Sequence, residues 1–190
     1  MTDAGRVIAG SAKGIRLRAP GTVTRPLADR VKQTLFAILE PDLPGSHVLD
    51  LFAGSGAAGI EALSRGAAEA VFVEKDATAA GVIEANLTAT GLSGAARVVR
   101  SDAGSWLGRS GSAGPFDIVV VDPPYAETEL LLRILDVLGG PDAPLAAGAR
   151  VIAKHFWRDR PPDRIGLLAS ERDRRFGETA LTFYRREEER

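Results

Sequence analysis

Four consecutive residues, Asp122-Pro123-Pro124-Tyr125, carry the most specific chemistry in this chain of 190 residues. Two prolines fix φ and remove two N–H donors. What remains is a stiff corner of acceptors, made of the Asp122 carboxylate and backbone carbonyls. Such a corner suits an –NH₂ group with two hydrogens to donate. Tyr125 adds a flat ring on which a nucleic-acid base can stack. A purely structural strand-to-loop corner is the bland alternative.

A second candidate is Asp50-Leu51-Phe52-Ala53-Gly54-Ser55-Gly56-Ala57-Ala58-Gly59, which contains G-x-G-x-x-G. Gly54 and Gly56 let the backbone turn sharply and approach a ligand. The pattern alone fits a dinucleotide site, or a tight turn with no ligand. Asp50 is awkward beside a pyrophosphate and comfortable beside a cationic ligand, such as the amino or sulfonium region of S-adenosylmethionine (SAM). Glu74 is placed to accept from both hydroxyls of a ribose. NAD and SAM both carry that ribose, so Glu74 points to a nucleoside without choosing one. Asp102 is positioned to accept from an adenine amino group or to be an ordinary loop acid.

Elements that would position these residues can be read from periodicity and punctuation. His47 to Phe52 reads as a short apolar strand, and the glycine loop leads into a helix over 57–65. Ala70 to Glu74 is a second strand. Asp76 is a good N-cap for a helix that stops at Gly91. Arg97 to Arg100, Phe116 to Val121 and Arg150 to Phe156 read as three more strands. Ser101 to Gly114 looks like loop with a short helical stretch, and Glu127 to Leu138 like a helix. Each candidate acid then ends a strand: Asp50 the first, Glu74 the second, Asp102 the third and Asp122 the fourth. Strand–helix alternation predicts an α/β fold with a doubly wound, mostly parallel Rossmann-like sheet. Gly166–Glu171 and Thr179–Tyr184 have no helix between them and predict an antiparallel C-terminal pair at one side of it.

The beginning of the chain differs in character. Arg6 to Leu17 has scattered apolar residues and many cations, which suggests a small hairpin outside the core. Pro26 suits the first turn of a helix, with Asp29 favoured by the dipole there. Val31, Leu35, Ile38 and Leu39 form its buried face. Residues 1–36 hold seven cations (Arg6, Lys13, Arg16, Arg18, Arg25, Arg30, Lys32) against Asp3 and Asp29, a net +5 in a chain whose total is −1. A basic arm on an acidic body suggests an anionic partner. The division expected is an N-terminal extension over 1–40 and a main domain over 41–190.

Composition excludes several classes. No cysteine means no disulfide framework, thiolate metal site or cysteine nucleophile. Two histidines, His47 and His155, argue against a histidine-rich metal centre and a Ser-His-Asp triad, and no metal is expected. No apolar run approaches the roughly 20 residues of a membrane span. The start lacks the apolar stretch of a signal peptide. The expectation is a cytoplasmic protein with no membrane partner.

Taken together, the glycine loop, the acid after the second strand and D-P-P-Y after the fourth resemble class I SAM-dependent methyltransferases acting on base amino groups, which carry [DNS]-P-P-[YFW] there. Thr24-Arg25-Pro26-Leu27-Ala28-Asp29-Arg30-Val31-Lys32-Gln33-Thr34-Leu35-Phe36 is similar to T-R-P-x-x-D-R-V-[RK]-E-x-[LM]-F of the bacterial 16S rRNA guanine-966 N2-methyltransferase family. Arg6-Val7-Ile8-Ala9-Gly10 resembles its R-I-I-[AG]-G start, and Asp50 to Arg65 its D-L-[FY]-A-G-S-G-A-L-G-x-E-A-L-S-R. Phe176-Gly177-Glu178-Thr179 resembles its [YF]-G-x-T. Leu27, Gln33 and Ala58 depart from the pattern where Thr, Glu and Leu are common.

The resemblance implies a seven-stranded sheet, a small N-terminal hairpin and helix, SAM as methyl donor and a guanine of 16S rRNA as acceptor. It implies as partner a small ribosomal subunit or its assembly intermediate. The protein itself is expected to be a monomer. Asp122, Pro123, Pro124 and Tyr125 are then the catalytic candidates. Asp50, Phe52, Ala53, Gly54, Ser55, Gly56, Glu74, Lys75, Asp102 and Ala103 are the cofactor candidates. Arg6, Lys13, Arg16, Arg18, Arg25 and Arg30 are the RNA-binding candidates. The rival within enzymes is a DNA adenine-N6 methyltransferase, against which stands the want of an extra target-recognition domain. From other classes the rivals are an NAD-dependent oxidoreductase, which leaves Asp122 to Tyr125 unexplained, and a non-catalytic RNA-binding module, which leaves Asp50 and Glu74 unexplained.

Overall fold

Short runs of Val, Leu and Ala, each followed by a helical segment, build the parallel strands between residues 47 and 121 of this α/β protein. The computed structural model describes residues 3–21, 29–109, 114–124 and 127–188. These fall into two compact units, 1–102 and 103–190. The expected helix start at Thr24–Ala28, with Arg25 and Pro26, lies outside the described residues, as does Tyr125.

The first unit opens with an antiparallel hairpin, β1 (Asp3–Arg6) and β2 (Arg16–Arg18). Helix α1 (Asp29–Leu39) follows, then β3 (His47–Leu51), α2 (Ala57–Ser64), β4 (Glu69–Glu74), α3 (Ala77–Thr90) and β5 (Ala96–Arg100). β3 and β5 pair with β4 in parallel, with Leu51 opposite Val73 and Glu74 opposite Arg100. β4 is apolar and buried from Ala70 to Val73, as a strand covered on both faces must be. Asp76 caps α3 by accepting from Ala79 N at 2.8 Å, and Gly91 ends it in the left-handed conformation.

The hairpin belongs to the core of this unit, contrary to the sequence expectation. Ala4, Val7, Ala12 and Leu17 are buried. Its apolar side chains are few, but its backbone is held by polar side chains of α2. Glu61, with no exposed surface, accepts from Ile8 N at 2.8 Å and Ala9 N at 3.0 Å. Ser64 Oγ accepts from Ala12 N at 2.9 Å and donates to Ala9 O at 2.6 Å, while Ser64 O accepts from Ser11 N at 2.8 Å. Gly10 lies so close to this helix end that a Cβ would sit 1.7 Å from Ser64 O.

The second unit comprises α4 (Ala103–Leu107), β6 (Phe116–Val121), α5 (Thr128–Gly139), β7 (Leu145–Phe156), β8 (Arg164–Ile165), β9 (Leu168–Phe176) and β10 (Thr179–Arg186). Its strand order is β6-β7-β10-β9-β8. β6 and β7 are parallel, and the remaining pairs are antiparallel. The C-terminal pair is antiparallel as expected, but β10 inserts between β7 and β9. Among the described residues, the seven expected strands are joined by the two-residue β8, which pairs with β9. β7 also begins at Leu145, earlier than Arg150.

Glu61 also accepts from Arg65 Nε at 2.8 Å, and Arg65 reaches Glu40 at 2.7 Å. Removing this carboxylate orphans two backbone donors and the Nε of a nearly buried guanidinium, which keeps only its Glu40 contact. Glu61→Ala is therefore expected to cost about 3–5 kcal/mol, the range for breaking a buried ion pair from one side. Urea unfolding measures it, and a loss below about 1 kcal/mol would show that the hairpin docks without this clamp.

Candidate active site

In the first unit, three parallel strands bring their carboxyl ends to one edge, where Asp50, Glu74 and Asp102 were expected. The glycine loop lies at this edge and is braced at several points. Ala53 N donates to Val73 O at 3.1 Å, and Gly54 N to Glu74 Oε2 at 2.9 Å. Gly56 caps α2 in the left-handed conformation at φ 77°. Phe52 adopts φ 64°, a region that costs a non-glycine residue roughly 1–3 kcal/mol and marks functional loops. Ser55 O accepts from Asn86 Nδ2 at 2.9 Å.

Each expected cofactor residue of this unit has a definite place. Asp50 is buried, and its Oδ2 accepts from Gly59 N at 2.9 Å, so the carboxylate braces the first turn of α2. Glu74 is half-buried. Its Oε2 takes the Gly54 amide and its Oε1 takes the Asp76 amide at 2.8 Å. An ionised carboxylate has about four acceptor positions, so each oxygen retains a lone pair for a further donor. Phe52 and Gly54 are half-buried; Ala53, Ser55 and Gly56 are buried; Lys75 and Asp102 are exposed. A Cβ on Gly54 would meet nothing closer than 3.9 Å, so the loop leaves room beside that backbone. A nucleoside with a vicinal diol fits this arrangement of acids and open glycine. Ala103 is buried at the start of α4 in the second unit.

Also in the second unit, Asp122 follows β6 directly. Pro123 is buried and Pro124 exposed. The Pro124 carbonyl accepts from Glu127 N at 2.9 Å, which turns the chain toward α5. Asp122 Oδ1 accepts from Lys154 Nζ at 2.6 Å. The cause is register: Val121 lies opposite Ala153 in the parallel β6–β7 pair, so the next residues, Asp122 and Lys154, are neighbours. Their side chains are 22% and 10% exposed. Desolvation pushes the Asp122 carboxyl above the usual carboxylate range, and the Lys154 ammonium pulls it back in part.

Lys154 is the residue that sequence reasoning missed. Its signal was a lone lysine inside the apolar run Arg150 to Phe156. Next to it, His155 is buried with Nδ1 at 2.8 Å from Phe156 O and Nε2 at 3.0 Å from Thr182 Oγ1. Burial holds its pKa below the usual histidine value.

The basic arm is surface-facing. Lys13, Arg16, Arg18 and Arg30 are exposed, and Arg6 is 65% exposed though 3.9 Å from Asp29. Arg16 pairs with Asp3 at 2.6 Å in open solvent, where such a pair contributes little. Arg25 lies outside the described residues. Among the described residues, no group of three or more His, Cys, Asp or Glu side chains is arranged to hold a metal, and no helix is long and apolar enough to cross a membrane.

The family described as "Conserved hypothetical protein 95" matches residues 5–185. "Ribosomal RNA small subunit methyltransferase D" of Escherichia coli (strain K12) is 37% identical over 185 residues, covering 96% of this chain and 90% of the relative. YlbH of Bacillus subtilis (strain 168) is also 37% identical over 185 residues, covering 95% and 98%. The solved structure of yhhF from Escherichia coli superposes with a TM-score of 0.85 at 36% identity, covering 96% of this chain and 97% of that one.

Close packing at the loop yields one stability test. A Cβ on Gly59 would lie 2.3 Å from Phe72 Cε1 and 2.6 Å from its Cζ. Gly59→Ala must displace either α2 or the Phe72 ring, and overpacking of this kind costs about 1–3 kcal/mol. An unchanged thermal midpoint would refute the close approach.

Proposed function

The chain belongs to the ribosomal RNA small subunit methyltransferase D family, and we propose that it transfers a methyl group from SAM to the exocyclic N2 amine of a guanine in 16S rRNA. The observation that carries the reading is the chain's own division of labour. One set of strand ends offers acids and an open glycine loop to a nucleoside, while the end of β6 offers a stiff acceptor corner to an amine.

Bound SAM supplies an electrophilic methyl carbon on a cationic sulfur. Glu74 takes the ribose hydroxyls on its remaining lone pairs, and Asp102 takes the adenine amino group. Asp50 acts by holding the first turn of α2, and through it the glycine loop. Phe52, Ala53, Gly54, Ser55 and Gly56 shape that loop, and Lys75 and Ala103 border the cofactor.

The guanine amine is a poor nucleophile because its lone pair is delocalised into the ring. Asp122 accepts one of its hydrogens and the Pro123 carbonyl the other. That draws the nitrogen toward sp³ geometry and frees its lone pair for attack. With SAM bound, its methyl group would be the electrophile for this lone pair, and the amine would lose its proton to solvent as the thioether product leaves. Catalysis comes chiefly from positioning and charge complementarity. Tyr125 stacks on the base once it has left its own stack.

Residues 1–40 are the RNA-contacting extension of a methyltransferase domain over 41–190. Arg6, Lys13, Arg16, Arg18, Arg25 and Arg30 hold phosphates of the small subunit or its assembly intermediate, and the protein acts as a monomer.

Radiolabelled methyl transfer to unmodified small subunits, naked 16S rRNA and DNA, with nucleoside analysis, tests the reading directly. N2-methylguanosine in small subunits is the expected product, and N6-methyladenine in DNA would overturn it. Glu74→Ala is expected to weaken SAM binding by roughly 1.5–3 kcal/mol in calorimetry. Asp122→Ala is expected to lower kcat on the order of 10²-fold while SAM affinity stays within about threefold. An Asp122→Ala protein that keeps its rate removes the corner from the mechanism.

The arm has a separate test. Arg16→Gln with Lys13→Gln keeps the backbone clamp and removes two exposed cations. The slope of log affinity against log salt for RNA is expected to flatten by roughly 0.7 for each phosphate no longer neutralised. An unchanged slope means that these cations face water only.

A further inference from the structure

We propose that Lys154 is a positioning residue for Asp122: its ammonium occupies Oδ1 and leaves Oδ2 aimed at one hydrogen of the acceptor amine. This inference rests on the reading of Asp122 as the amine acceptor, and it concerns a residue to which that reading gives no role. Lys154 lies in β7 between the buried residues Ala153 and His155, and only 10% of its side chain is exposed. A lysine is rarely buried unless it is paired. Its partner here is Asp122 at 2.6 Å, placed beside it by the in-register parallel pairing of β6 and β7.

The two prolines fix the backbone after Asp122, yet they leave its own χ1 and χ2 free to rotate. A hydrogen bond from Lys154 removes that freedom. The bond from Lys154 is to Oδ1, so one acceptor position of that oxygen is filled while Oδ2 is the oxygen it leaves to a ligand. Lys154 has a second consequence. A neutral carboxyl would turn a proton toward the amine, whereas an ionised one accepts from it. Burial favours the neutral form, and Lys154 is the charged group that opposes it. The ammonium also withdraws charge from the acceptor, so its contribution is orientation and ionisation, not a stronger acceptor.

Two substitutions separate these effects. Lys154→Met keeps the aliphatic length and loses the charge. Lys154→Arg keeps the charge but offers a fork that engages both carboxylate oxygens. The measurement is single-turnover methyl transfer from radiolabelled SAM to unmodified small subunits across pH, with SAM affinity by calorimetry as the control for folding. For Lys154→Met, the plateau rate is expected to fall roughly 10²-fold and the acidic limb of the pH profile to move to higher pH, with SAM affinity retained. For Lys154→Arg, the limb is expected to stay at its wild-type position while the plateau falls. Asp122→Asn with Lys154→Met is expected to be no slower than Asp122→Asn alone, since Lys154 acts through that carboxylate.

A Lys154→Met protein with wild-type plateau and limb would overturn the proposal. So would a plateau loss with an unmoved limb, which marks a merely structural lysine. If Lys154→Met does not fold, Lys154→Arg decides: a wild-type plateau overturns the proposal, and a lowered plateau with an unmoved limb upholds it. Failure of the underlying reading looks different, because Asp122→Asn would then keep its rate whatever Lys154 does.

Discussion

A carboxylate with no exposed surface, Glu61, is the constraint on which the first unit depends. Burying a charge is tolerable only when its lone pairs are satisfied. Glu61 meets that condition with two backbone amides from the hairpin and the Arg65 guanidinium. The same pairing fixes the C-terminal half of α2. Its N-terminal end is fixed by Asp50 on Gly59 N. Helix α2 is thus pinned at both ends by acids, and the glycine loop is the segment that enters it. A second buried polar side chain, Asn86, closes the arrangement. It accepts from Arg18 N at 2.9 Å, donates to Arg18 O at 3.0 Å and donates to Ser55 O. The basic hairpin and the glycine loop therefore share supports.

The strand-end acids are not interchangeable. Asp50 and Glu74 are satisfied by backbone amides, which sit where the chain puts them and carry no titratable charge. Such acids shape a loop and keep their own orientation. Asp122 instead meets a side chain whose charge opposes the cost of burial. A carboxylate held by amides suits binding, where affinity needs a fixed surface. A carboxylate poised between burial and a cation suits chemistry, where the protonation state matters.

Much of this was legible in the sequence. Asp76 and Gly91 marked the ends of α3, and the glycine pattern marked the strand-to-helix turn, because caps and turns are local. Gly59, the third glycine of the pattern, also lets α2 pack closely on β4, where a Cβ would lie 2.3 Å from Phe72 Cε1. What escaped was non-local. Lys154 matters because Ala153 lies opposite Val121, and no pattern along one strand states which residue faces it on the next. The insertion of β10 between β7 and β9 is likewise a choice of pairing, which period-two alternation does not encode. The hairpin was misjudged because few apolar residues were taken to mean little burial. Its backbone is buried through hydrogen bonds to α2 side chains, and hydrophobicity has no view of that.

The clamp also separates the docking of this short segment from its surface charge. Residues 7–12 dock through N–H and C=O groups and through small side chains such as Ala9 and Ala12. Gly10 is required because the backbone touches Ser64 directly. None of these interactions uses a cation of the arm. Lys13, Arg16 and Arg18 remain exposed around the docked backbone, at positions fixed by groups that carry no positive charge. Lys32 is the contrasting case. It is buried, donates to Arg6 O at 2.6 Å, and burial holds its pKa below the usual lysine value. Its ammonium is committed to the backbone beneath Arg6, while the Arg6 guanidinium stays largely in solvent. Fold and surface charge are thus carried by different atoms of the same few residues, so the exposed cations take no part in supporting the glycine loop.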